Sequence, residues 1–511
     1  MSRNRQIGLA VWLVVLAGCL LRFLPGLLTG FPVNDGGMLV AMTRDLLSNG
    51  FVLPVATSYN YSNIPFAYPP FGIYVAASLH SLFAVSEIEI FRWLPPLVAS
   101  VTILIFYWLA EEIFASRIKA ILAVFLYALM PGVSDWLVMG GGLTRSLGIL
   151  FSLFAIGYTY RLFRSDDPQR LAGQTILFAS LTVLSHPEVG LQTAAICFML
   201  WALYGRNSSG IKYTLLVAGG VVLLTSVWWV TVLRYHGLSP FQSAIQTGIH
   251  ETLVASLFHT LFSMQGVLPI LPVFGLIGMF VVLRRREVLL VLWTFLPFFV
   301  DPRNAPAIAI FPFLMLASEG LYFLHVELTR VYAETFSGNQ HAGKYLPIIT
   351  QGSFACILLY LFLISFAVPS RLVSISLDAS DLETMQWIRK NTPPESRFLL
   401  MTNTGNISPM TDSYQEWFPA IAQRRSVNTL QGTEWILGSN FFPYSRQLIA
   451  LQTCPEVDCL NDWLEQNNMQ VDFILFRTER ANQRLKSSLQ LDDHYRTLYR
   501  SATAEVFAVH P

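Results

Sequence analysis

Apolar stretches long enough to cross a bilayer recur along most of this chain, and no ordinary soluble fold accommodates them. Ile7 to Leu28 and the stretch 213–233 each hold roughly 20 predominantly apolar residues, the length that spans a hydrocarbon core. Across all 511 residues 53% are hydrophobic and only 13% charged, with a mean hydropathy of +0.50. The fold class that follows is mostly α, a polytopic helical membrane protein. A formal net charge of +1 offers nothing to attract nucleic acid.

Hydropathy combined with the positive-inside rule gives one self-consistent path of about eleven transmembrane helices. The spans fall near 7–28, 94–112, 120–134, 145–162, 171–185, 189–205, 213–233, 264–283, 288–300, 305–324 and 345–368. Arg3 and Arg5 set the N-terminus in the cytoplasm, and no cleavable signal is read there. The basic groups Arg117 with Lys119, Arg161 with Arg164 and Arg170, and Arg284 to Arg286 then share that side. Arg22, inside the first span, is expected to face the protein interior. Counting Phe71 to Val85 as a span would reverse that charge distribution, so it is assigned to the outer interface. Met38 to Leu47, apolar at 38, 39, 42 and 46 with Arg44 and Asp45 opposite, reads as a second interfacial helix lying on the surface.

These two helices belong to a long first outer loop, 30–92. A connection of that length is functional or disordered, and its aromatic content argues against disorder. Near its start stands Asp35, followed by Gly36 and Gly37, which allow a backbone or ligand to come close. From about Ser374 the composition becomes that of a soluble fold. Helices over 381–390 and 461–468 alternate with strands at Phe398 to Thr402 and Val471 to Phe476. The expected organisation is therefore a transmembrane part, 1–370, and an extracytoplasmic C-terminal α/β part, 371–511. Cys454 and Cys459 would close a small disulfide loop in an oxidising compartment, with two free thiols as the other reading.

The N-terminal span, the long outer loop with an acid near its start, Tyr68-Pro69-Pro70 heading an apolar helix, Arg92 before the next span, Ala115-Ser-Arg-Ile-Lys119 and Ala128-Leu-Met-Pro131 together carry a resemblance. The chain resembles the GT-C class of lipid-dependent membrane glycosyltransferases, such as protein O-mannosyltransferases and the aminoarabinose transferases of lipid A. The resemblance covers the first half well and the later spans in outline. It implies a sugar taken from a polyprenyl-phosphate donor within the lipid bilayer and passed, with inversion, to a protein, lipid or glycan acceptor on the outer face of the cell membrane.

It also implies that the acid of the first outer loop is the general base, by position Asp35. A carboxylate at the water–membrane boundary is suited to take a proton from an attacking hydroxyl; the alternative is that Asp35 caps the helix beginning near Met38. The leaving group is a lipid phosphate, which calls for fixed positive charge. Arg92, Arg145 and Arg303 stand on outer tips, and arginine grips phosphate through a planar fork. Interfacial anchoring is their other reading. Where the family often carries a second acid stand Thr144 and Arg145, with Asp135 earlier in the same loop as a substitute. His186-Pro187-Glu188 and His250-Glu251 are polar pairs suited to a divalent metal ion or to a hydrogen-bond network. Glu416-Trp-Phe-Pro419 and Gln431-Gly-Thr-Glu434-Trp435 suit either sugar binding or docking of the C-terminal part. No nucleotide-binding glycine loop, zinc signature or nucleophile elbow is present. Two rivals to an enzyme remain: a transporter or flippase of lipid-linked sugars, and a non-catalytic scaffold of the same fold.

Overall fold

The computed structural model describes residues 3–130, 132–247, 252–258, 270–335, 352, 355–357, 359–478 and 480–510. His250 and Glu251 lie outside the described residues, as do Pro131 and residues 345–351, 353, 354 and 358 of the span expected at 345–368.

Among the described residues, fifteen α-helices precede residue 336. They are α1 (Arg3–Thr29), α2 (Gly37–Ser48), α3 (Phe71–Phe83), α4 (Glu87–Phe114), α5 (Arg117–Leu129), α6 (Asp135–Val138), α7 (Gly142–Leu162), α8 (Pro168–Ser185), α9 (Pro187–Tyr204), α10 (Ser208–His236), α11 (Ser239–Gln246), α12 (Leu253–Phe258), α13 (Ile270–Arg284), α14 (Leu289–Val300) and α15 (Ala305–Thr335). Among the described residues six helices are long and apolar enough to cross a membrane. α1, α4, α5 and α7 pack around one core that reaches α15, where the rings of Phe106, Tyr127 and Phe311 meet at 5.0–5.4 Å. Arg22 is buried there as expected; its guanidinium donates to Gly18 O and Ala128 O and lies 5.2 Å from the Tyr127 ring.

The basic loops gather at one end of this bundle. Glu319 of α15 accepts Lys119 and Arg285, each at 2.6 Å, and Glu112 of α4 accepts Arg161 at 2.5 Å.

After α16 (Ala367–Ser374) and α17 (Ala379–Asn391) comes a five-stranded sheet in the order β2-β1-β3-β5-β4. Its strands are β1 (Arg397–Met401), β2 (Arg425–Ser426), β3 (Phe473–Arg477), β4 (Tyr495–Arg500) and β5 (Ala504–Val509). β1 runs parallel to β2 and β3, while β5 runs antiparallel to β3 and β4. Apart from Arg397 and Arg477 at their ends, β1 and β3 are apolar because helices cover both faces of the sheet. Leu399, Met401, Ile474 and Phe476 pack under α19 (Phe441–Gln452), α20 (Val457–Gln466) and α21 (Gln483–Leu491). Cys454 and Cys459 form a disulfide at the head of α20.

The opposite face points Phe398, Leu400 and Leu475 into a core shared with the first long loop, by way of α17 and α18 (Ser413–Ala422). This shared core corrects one expectation. α2 is covered on residues 37–43 and at Leu46, because α18 lies across it; it is not an amphipathic helix resting on the membrane surface. Val40 and Ala41 make its apolar face wider than a surface helix needs, and that extra width is what α18 buries.

Candidate active site

Asp35 sits between α1 and α2 on a bend that two different contacts define. Gly36 adopts φ +125°, a backbone conformation that a side chain resists. A Cβ at Gly140 would lie 2.1 Å from Asp35 O, so the α6–α7 turn can approach only as glycine. That approach lets Gly141 N–H donate to Asp35 Oδ1 at 2.9 Å. The capping alternative is not what Asp35 does: α2 begins on Gly36 with no side-chain cap bond. Burial pushes the Asp35 carboxyl above its ordinary range, opposed by the Gly141 N–H and the charge of Arg145.

Arg145, in the first turn of α7, is half-buried, and its guanidinium stands over the Trp136 ring at 5.5 Å. Arg303, in the α14–α15 turn, is exposed. Neither forms an ion pair among the described residues, yet both act on the same buried His186. Burial first, then the charges of Arg145 and Arg303, holds that imidazole neutral, well below its usual pKa. Among the described residues His186 Nδ1 has no hydrogen-bond partner, and Glu188 stands 3.9 Å away, half-exposed. Tyr68 donates to or accepts from Thr144 Oγ1 at 2.9 Å and meets the Trp435 ring at 6.1 Å; burial pushes its phenol up to about 12. Asp35, Arg145, Arg303, His186, Glu188 and Tyr68 therefore lie in one electrostatic neighbourhood at the end of the bundle away from the basic loops.

Two expected members stand apart. Arg92 donates to Gly26 O at 3.0 Å and to Glu89 at 3.2 Å, with its guanidinium 4.3 Å from the Trp93 ring. Its fork is spent tying α4 to α1. Asp135 is 2% exposed and ion-paired with Arg371 of α16, so it fastens the C-terminal part and does not stand in as a second acid beside Asp35. Among the described residues no three His, Cys, Asp or Glu side chains are grouped to hold a metal ion.

The site also contains residues that spacing along the chain could not reveal. Asn34 N–H donates to Ser376 Oγ at 3.0 Å, and Asn34 O accepts the Trp417 indole N–H at 2.9 Å. Gly36 N–H donates to Glu416 Oε1 at 2.9 Å, and Tyr59 O–H to Glu416 O at 2.7 Å. The Trp417 ring meets Phe31 edge-on at 4.7 Å. The Glu-Trp-Phe-Pro cluster is thus a docking element, and it docks on the peptide groups flanking Asp35. Its acid-plus-aromatic composition was the only signal in the sequence.

Comparisons with known proteins bear on this arrangement. Residues 67–230 match the family described as dolichyl-phosphate-mannose-protein mannosyltransferase. No protein of curated function matches the chain in sequence. Among solved structures, oligosaccharyltransferase AglB from Archaeoglobus fulgidus, in complex with an inhibitory peptide and a dolichol-phosphate, superposes with a TM-score of 0.57 at 14% identity. That match covers 99% of this chain and 74% of AglB. ArnT from Cupriavidus metallidurans, bound to undecaprenyl phosphate, gives 0.55 at 13% identity, covering 99% and 98%. Arabinofuranosyltransferase AftD from Mycobacteria gives 0.53 at 15% identity, covering 100% of this chain and 42% of AftD. The chain has the fold of the GT-C membrane glycosyltransferases, and the glycosyltransferase class inferred from sequence is borne out by the family match together with these neighbours.

Proposed function

We propose that the protein is an integral membrane glycosyltransferase that moves a sugar from a polyprenyl-phosphate donor to an acceptor hydroxyl of a protein, lipid or glycan. The observation that carries this reading is the carboxylate of Asp35, fixed by Gly141 N–H at 2.9 Å with Arg145, which has no ion pair among the described residues, in its electrostatic reach. A base and a phosphate-binding cation side by side are what displacement at a phosphate-linked anomeric carbon requires.

In the step we propose, the acceptor oxygen bonds to the anomeric carbon as its proton passes to Asp35. The bond from that carbon to the phosphate oxygen breaks, its electron pair leaves with the polyprenyl phosphate, and configuration inverts. Arg145 and Arg303 neutralise the charge that builds on the leaving phosphate; arginine suits this because it stays protonated and forms two parallel bonds. Neutral His186 and the phenol of Tyr68 would hydrogen-bond sugar hydroxyls without adding charge. AglB and ArnT are described with dolichol-phosphate and undecaprenyl phosphate, which supports a donor of that class here.

The orientation proposed is a cytoplasmic N-terminus with residues 371–511 on the extracytoplasmic side of the plasma membrane. The clustering of basic loops at the end away from Asp35, and the Cys454–Cys459 disulfide, support it. The test is reconstitution in liposomes with polyprenyl-phosphate-linked sugars. Release of polyprenyl phosphate and a glycosylated acceptor of inverted configuration is the expected result. Movement of intact donor across the bilayer with no cleavage would instead identify a flippase.

A further inference from the structure

The sequence lacks the second acid that related enzymes often carry in the next outer loop, and Asp135 is occupied by Arg371. A different carboxyl group stands beside Asp35. Glu416, in the first turn of α18, is 7% exposed, and its Oε1 accepts Gly36 N–H at 2.9 Å, one peptide beyond the proposed base. Its backbone oxygen takes the Tyr59 hydroxyl at 2.7 Å. A Cβ at Gly37 would fall 2.6 Å from Glu416 O, so α18 and the Asp35 bend touch with no space for water between them. An acid in so dry a place, facing another acid, needs a reason beyond packing, because an apolar or amide side chain would be cheaper to bury.

We infer that Glu416 is a positioning residue of this reaction centre: its carboxyl holds the Asp35 bend in register through Gly36 N–H. The inference rests on the reading of Asp35 as the base. The groups facing Glu416 are Asp35 from the bend after α1, Tyr59 from the loop between α2 and α3, and Glu434 from the turn after β2, with Arg145 of α7 beyond Asp35. Burial, then the charge of Asp35, keeps Glu416 protonated well past the usual carboxylate range. Burial raises Asp35 as well, and the Gly141 N–H and Arg145 oppose that rise. Ionisation of Glu416 at higher pH places a second negative charge next to the donor phosphate and opposes the leaving group.

The test is the pH dependence of kcat/KM for full-length enzyme in liposomes, with a polyprenyl-phosphate sugar as donor. Glu416→Gln keeps the oxygen that accepts Gly36 N–H but cannot ionise. It should retain activity within about 3-fold at neutral pH and lose the alkaline decline of the wild type, a change that a purely structural residue does not produce. Glu416→Ala frees the bend and should lower kcat about 10²-fold, the scale of a displacement near 1 Å. An alkaline limb unchanged in Glu416→Gln, or an alanine variant as active as the glutamine one, overturns the inference. If Asp35→Asn is inactive while Glu416→Gln keeps the wild-type profile, the base reading stands and only this inference falls. If Asp35→Asn is active, the base reading itself falls.

Discussion

Replacing Gly141 by alanine isolates the positioning of Asp35 from its chemistry. The backbone there has φ −66° and ψ −14°, helical values that alanine adopts without strain, so the added methyl group is the whole perturbation. Its Cβ would stand 2.7 Å from Asp35 Oδ2, 2.9 Å from Cγ and 3.1 Å from Oδ1. Ordinary van der Waals contact begins at 3.4 Å, so the carboxylate must retreat by about 0.7 Å. The main chain of Asp35 cannot follow freely, because its carbonyl lies against Gly140 and its neighbours are bonded to Ser376, Trp417 and Glu416. The side chain must rotate instead, stretching the 2.9 Å bond from Gly141 N–H. That bond is charge-assisted and contributes about 1.5–3 kcal/mol. A misplacement approaching 1 Å costs about 10²-fold in rate. The assay is steady-state transfer from a polyprenyl-phosphate sugar in liposomes, with donor affinity measured separately. Gly141→Ala should lose about 10²-fold in kcat with donor binding nearly unchanged. Gly173→Ala in α8, where a Cβ meets nothing within 4 Å, serves as the control and should keep full activity. A Gly141→Ala enzyme within about 3-fold of wild type would refute the claim that this turn holds the reacting carboxylate.

Two further outcomes follow from the same geometry. Arg145→Lys should lose nearly as much activity as Arg145→Ala, because lysine cannot form the planar fork that grips a phosphate, whereas Arg92→Ala should chiefly lower thermal stability through its lost bonds to Gly26 and Glu89; normal transfer by Arg145→Ala would end its role at the phosphate. A cysteine placed at exposed Glu383 should react with an impermeant thiol reagent in intact cells, and non-reducing peptide mapping should recover the Cys454–Cys459 bond; labelling only after lysis would reverse the proposed orientation.

Much of the membrane architecture was legible because hydropathy acts residue by residue. The ends of α7, α8, α9, α10 and α14 fall within a few residues of the spans read from sequence. The strands at 397–401 and 473–477 were also legible as short apolar runs, since both of their faces are buried. Tertiary contact was not legible. α2 has the pattern of a surface helix, but α18, arriving from the far end of the chain, covers it. Arg92, Arg145 and Arg303 look alike as tip arginines, and only the fold reveals that Glu89 occupies the first while the other two lie near His186. The bond from Gly36 to Glu416 joins residues 380 positions apart, and nothing local in either segment encodes it.

The central claim is that Asp35 takes the acceptor proton, and Asp35→Asn in the purified, reconstituted enzyme tests it most directly. The amide keeps the shape of the side chain and an oxygen for Gly141 N–H, but it cannot accept a proton. Transfer should fall by about 10²–10⁴-fold while donor lipid still binds. In the wild type the active form is the ionised carboxylate. Because burial raises its pKa, activity should fall with decreasing pH well before the ordinary carboxylate value of 3.8 is reached. Near-normal transfer by Asp35→Asn, with a true donor and a folded protein, would contradict the account.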